Sequence, residues 1–195
     1  MSQPLPRRMT ADAFLDWDLN QPEARHELID GAPRAMTGAG RRHDRIVVNG
    51  LASLYALLRG GRCEVFTADV AVRIPNGNVR RADLGIDCGP SEDRMTHAGA
   101  PRLLVKVLSP STRPFDPARK LEDYRAIAAL DYILLVDPAA PEVILWSRDA
   151  TRAWRHEVIE GLAATIALPA LGLALPLADL YRHVVFPPDP EARPA

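Results

Sequence analysis

The chain has 195 residues, of which 47% are hydrophobic and 25% charged, with a formal net charge of -1. That length favours one core over two, and the composition excludes disordered and membrane-spanning classes, since no apolar run approaches the roughly 20 residues that cross a bilayer. The charge balance excludes a generally basic nucleic-acid binder, although Arg41-Arg42-His43 and Arg80-Arg81 are local basic clusters.

The opening segment carries Arg7 and Arg8 but runs into Thr10-Ala11-Asp12-Ala13-Phe14-Leu15, too short and too acidic for a signal peptide, so a cytoplasmic location is expected. Thr10 is a good N-cap for a short helix through Phe14, Leu15 and Trp17, which Asn20-Gln21-Pro22 ends. Next, His26–Ile29 and Ala32–Met36 flank Asp30-Gly31, a hairpin signal with a proline just after it. From Arg42 to Arg59 the apolar residues Ile46, Val47, Leu51, Leu54, Leu57 and Leu58 recur at helical spacing, and Gly60-Gly61 supplies a stop. Two extended runs, Cys63–Ile74 and Val79–Cys88, follow; the Asn-Gly step in Pro75-Asn76-Gly77-Asn78 predicts that they pair antiparallel.

Leu103–Leu108 has the near-continuous apolar character of a central strand, interrupted by Lys106. Asp116-Pro117 predicts an N-cap and first helical residue, with the helix running to about Ala129. Tyr132–Val136 reads as another buried strand, followed by a hairpin of Val143–Trp146 with Trp154–Ile159. The apolar stretch from Leu168 to Leu177, punctuated by Pro and Gly, is expected to wrap the core before a short helix at Ala178–His183. The order of elements implies an α/β fold with a mixed-direction sheet and helices packed against it. A single domain over 1–186 with a disordered Pro-rich tail over 187–195 is expected.

Of the 24 basic residues only Lys106 and Lys120 are lysine, so each invites a specific explanation. Strand alternation puts Asp83, Gly85 and Asp87 on one face, and Leu104, Lys106 and Leu108 on one face of the next strand. A carboxylate carried into a sheet must be paired, hydrogen-bonded or metal-bound, because uncompensated burial costs several kcal/mol. Asp83 and Lys106 therefore read either as a functional site or as a structural pair that neutralises itself. Lys120, near a helix N-terminus, opposes the macrodipole and reads either as a solvated helix charge or as a cation held by a carboxylate or phosphate. Glu27 faces either the site or solvent. His43 reads as a polar neighbour of a helix cap, and Asp69 as an edge-strand acid. Cys63 and Cys88 form no CxxC pair and have no His beside them, so they are expected to be buried or idle thiols.

Together, Met9–Leu15, His26-Glu27-Leu28-Ile29-Asp30-Gly31, Val105-Lys106-Val107-Leu108-Ser109-Pro110-Ser111-Thr112, Lys120–Tyr124 and Tyr132–Asp137 resemble a large bacterial family of restriction-endonuclease-like proteins in the PD-(D/E)XK superfamily. The resemblance implies a restriction-endonuclease-like mixed sheet flanked by helices, DNA as partner, and Mg²⁺ or Mn²⁺ as cofactor; the oligomeric state is left open by the sequence, with a homodimer as one option. It implies catalytic positions at Glu27, Asp83, Lys106 and Lys120, with Asp83 as metal ligand. At 106 the family pattern has Glu, and an ammonium there offers no oxygen ligand and repels the ion. The resemblance thus implies metal-dependent DNA cleavage that Lys106 impairs. The alternative is a catalytically silent module that binds nucleic acid or protein through the same cleft.

Overall fold

The computed structural model describes residues 8–21, 23–36, 38–90, 92, 94–108 and 117–186. Helix α1 (Ala11–Asp18) is capped by the Thr10 hydroxyl, which accepts from the Ala13 amide at 3.3 Å. Strands β1 (His26–Ile29) and β2 (Ala32–Ala35) form the expected hairpin, with Asp30 and Gly31 both at positive φ. Helix α2 (Arg41–Leu57) buries Ile46, Gly50 and Leu54. Gly50 makes that approach close: a Cβ there would meet the side chains of Leu84 and Leu180 at 3.1 and 3.2 Å.

The two extended runs pair antiparallel as expected, but each breaks in the middle and serves two sheets. β3 (Glu64–Thr67) pairs with β6 (Leu84–Asp87), while β4 (Val72–Arg73) pairs with β5 (Val79–Arg80). The buried guanidinium of Arg81 fills the first break, donating to the carbonyls of Ala68 and Asp69 at 2.6 and 2.7 Å. Asp69 accordingly lies in this turn, exposed and paired with Arg25 at 2.9 Å, and not on an edge strand.

β7 (Pro101–Val107) runs parallel to β8 (Tyr132–Val136), and every other neighbour pair in the six-stranded sheet is antiparallel. With β9 (Glu142–Arg148) and β10 (Trp154–Glu160), its order is β10-β9-β8-β7-β6-β3; the second sheet is β2-β1-β5-β4. Between β7 and β8 lies α3 (Pro117–Arg125), which ends four residues before the expected Ala129, where the amide of Ile127 turns back to the carbonyl of Tyr124. The Asp116 cap, Ser109–Thr112 and the tail at 187–195 lie outside the described residues.

Alternation along β7 sends Leu103, Val105 and Val107 to a core shared with α2, and Leu104 to one shared with Tyr124 of α3. The C-terminal apolar stretch does not simply wrap this core. It forms a hairpin of β11 (Thr165–Leu168) and β12 (Leu173–Pro176) around a 3-10 turn, followed by α4 (Leu177–Leu180), a residue earlier than expected. Ile166, Leu168 and Leu175 alternate into the core, which makes the pairing period visible in hindsight. The thiols are not idle: Cys63 and Cys88 form a disulfide between the ends of β3 and β6. Their separation of 25 residues gives no sequence signal, because the β3–β6 pairing alone brings them together. Among the described residues no helix is long and apolar enough to cross a membrane.

Candidate active site

Asp83 stands one residue before β6, at the sheet end where α2 and α3 converge from opposite faces. Its amide continues the β6–β7 ladder by donating to the Val105 carbonyl at 3.0 Å. Its carboxylate turns back on the same strand, with Oδ2 accepting from the Val107 amide and Oδ1 from the Lys106 ammonium, each at 2.7 Å. His43 Nε2 lies 3.4 Å from Oδ2. Burial alone would raise the Asp83 carboxyl, which is 7% exposed, but His43 and Lys106 more than reverse this and hold it below the ordinary carboxylate range.

Glu27 faces this site and not solvent. On β1 it accepts from Lys120 Nζ at 2.6 Å and from the Arg81 amide at 2.8 Å through Oε1, while Oε2 lies 3.3 Å from the Arg80 guanidinium. Burial raises its carboxyl, and Lys120, the Arg81 amide and Arg80 lower it further than burial raises it. Lys120 is therefore no solvated helix charge: it is largely buried, and burial and the nearby Lys106 lower its ammonium although Glu27 opposes them. The two pairs, Asp83–Lys106 and Glu27–Lys120, sit close enough for their charges to be felt by one another.

Beneath them, Arg80 donates to Asp123 at 2.6 Å, and Asn76 and Asn78 complete the shell of that acid at 2.7 and 3.2 Å. Tyr124 is fully buried between Glu27 and Asp83, and its hydroxyl has no hydrogen-bond partner among the described residues. Burial and the two carboxylates keep that phenol protonated far above its usual range. Asp87 does not join the site, because the amides of Gly89, Gly99 and Ala100 engage its carboxylate at the opposite end of β6.

The structure thus brings Glu27, Asp83, Lys106 and Lys120 together. Sequence reasoning missed His43, Arg80 and Asp123. The signal for His43 was present, since His43, Ile46, Gly50 and Leu54 recur at i, i+3, i+7 and i+11 and extend the buried stripe of α2 by one turn. Asp123 lies three residues beyond Lys120, on the same helical neighbourhood.

The carboxylates do not fit a divalent ion. A hard cation requires several oxygen ligands, yet Lys106 lies against Asp83 Oδ1, and the Glu27 oxygens are taken by Lys120, Arg81 and Arg80. Among the described residues no group of three or more His, Cys, Asp or Glu side chains is arranged to hold a metal.

A mixed sheet carrying an acid at the end of one strand and a lysine on the next, with helices on both faces, defines a restriction-endonuclease-like α/β protein. A family model described as "Putative restriction endonuclease" (Uma2) matches residues 11–178, and the chain belongs to that family. The Synechocystis sp. protein named "Uncharacterized protein slr1290" is 31% identical over 190 residues, covering 95% of this chain and 97% of the relative. A crystal structure titled as a putative nuclease belonging to DUF820, from Anabaena variabilis, matches with a TM-score of 0.68 at 19% identity, over 89% of this chain and 97% of that one. At that identity the likeness concerns the fold.

Proposed function

We propose that this chain is a nucleic-acid-binding member of the family that engages DNA phosphodiester groups in the Asp83–Lys120 cleft without divalent-metal catalysis. The observation that carries the reading is the Lys106 ammonium, 2.7 Å from Asp83 Oδ1, where it supplies the positive charge a metal ion would otherwise bring. An ammonium has three donors. Lys106 and Lys120 each spend one on a carboxylate and keep donors for phosphate oxygens, with side chains 15% and 21% exposed. Oriented N–H groups in a site of low exposure hold an anion without any reaction being needed.

The second reading is a Mg²⁺- or Mn²⁺-dependent DNA endonuclease with Asp83 as a metal ligand. It is favoured by the retained, ionised carboxylate at the strand end. Fluorescence titration of a labelled duplex in EDTA separates the two. Binding should persist without metal and weaken with salt as counterion release requires, and Lys120→Met should lower the magnitude of the slope by about one. Plasmid nicking that starts with Mg²⁺ or Mn²⁺ and stops on chelation would overturn the metal-free reading in favour of the second.

A further inference from the structure

A second basic feature lies outside the cleft, on the first turns of α2. Arg41, Arg42 and Arg45 are all exposed, and together with His183, Val184 and Val185 they line a surface depression of about 230 Å³. Elsewhere Arg25, Arg73, Arg102, Arg119, Arg155 and Arg182 each have a carboxylate within ion-pair distance, while Arg34, Arg59 and Arg62 have none among the described residues but stand singly or in pairs. Arg41, Arg42 and Arg45 have none among the described residues, and Asp44 in the same turn makes no ion pair with them. Like charges one turn apart on a helix repel, and cations at a helix N-terminus also oppose its macrodipole. The cap residue Gly40 adds no side-chain acceptor or charge. The folded chain thus gathers three arginines in the first turns of α2 with Asp44 as the acid among them.

We propose that Arg41 and Arg45 form a second anchor for the phosphate backbone of a DNA duplex, set apart from the cleft. This rests on the nucleic-acid-binding reading above. At 100° per residue, Arg41 and Arg45 lie within about 40° of each other and each about 160° around α2 from His43, the residue that points at Asp83. The anchor and the cleft therefore occupy opposite flanks of one helix end, about 10 Å apart, the diameter of a helix with its side chains. Guanidinium is suited to the task because its planar fork meets phosphate with two parallel hydrogen bonds.

The test is duplex binding by the full chain and by Arg41→Gln/Arg45→Gln, measured from 50 to 200 mM salt in EDTA. Two phosphate contacts account for a slope of about 1.8 in log K against log salt, equivalent to about a 60-fold loss of affinity at 0.1 M. The double lysine variant, Arg41→Lys/Arg45→Lys, should keep the parental slope. Arg155→Gln, on β10 at the far edge of the large sheet, changes the net charge by one and should leave the slope unaltered. Thermal melts equal to or slightly above the parent's are expected for the glutamine variant, since the substituted side chains hold no partner and their mutual repulsion is removed. An unchanged slope in that variant, with the parent binding normally, overturns the second anchor and leaves the cleft reading standing. A parent that binds no duplex overturns both.

Discussion

Replacing Lys106 by methionine keeps the aliphatic stem and deletes the ammonium, leaving the Asp83 carboxylate with the Val107 amide and His43. Removing one partner of a buried ion pair costs about 3–5 kcal/mol. Asp83 is 7% exposed and retains the 2.7 Å bond from Val107, so the lower end, about 3 kcal/mol, applies. For a chain of this size that corresponds to a fall in Tm of about 6–12 °C at pH 7. The pH dependence carries a sign. In the parent, the Asp83 pKa lies below its ordinary value of 3.8, so its stabilisation is present above that pH and is lost as pH falls through the depressed value. In K106M burial is opposed by His43 and the Val107 amide but no longer by Lys106, and the carboxyl moves upward from its parental position. The destabilisation is then relieved as pH falls through the raised pKa, and the gap between the two proteins narrows in acid. Calorimetric melts of both proteins from pH 7 to pH 4 measure this. A K106M melt within 2 °C of the parent at pH 7, or a gap that stays constant to pH 4, would refute the argument that Lys106 neutralises a buried acid.

Lys106→Glu should be less stable than the parent in EDTA, because two facing carboxylates repel; Mn²⁺ at a hundredfold excess over Kd should return about 2.7 kcal/mol to it and nothing to the parent. Equal metal responses in the two melts would remove residue 106 from the site. Reducing the Cys63–Cys88 bridge, or substituting Cys63→Ser, opens a loop of 25 residues. The chain-entropy relation gives about 3.5 kcal/mol for this, or about 7–14 °C in Tm. Identical melts with and without dithiothreitol would show that the bridge does not contribute.

The strands with unbroken apolar character were the most legible. Tyr132–Val136 is bounded by Asp131 and Asp137, and β8 has those limits because both acids turn away from the sheet core, Asp131 to Arg102 and Asp137 to the amide of Ala139. The break between Thr67 and Val72 could not be read locally, because the group that fills it, Arg81, comes from a segment more than ten residues later. The same limit applies to the site. Asp83 and Lys106 were visible as charges inside apolar runs on adjacent strands. Lys120 stayed open between two readings, since a lysine beside Arg119 and Glu122 on a polar helix looks solvated until Glu27, 93 residues away, is placed against it.

Arg80 and Arg81 leave the backbone in opposite directions, and the second of them makes the first helix part of the site's foundation. Arg81 Nη2 donates to Asp18 at the end of α1 at 2.6 Å, while its Nε donates to the His26 carbonyl and its Nη1 to the 68–69 turn. Asp18 in turn holds His26 at 2.9 Å, the residue next to Glu27. A shortened chain beginning at β1 would therefore keep every residue of the cleft yet strand a buried guanidinium, and release the strand that aims Glu27. The smallest piece of this protein that preserves the geometry of its cleft has to begin ahead of α1.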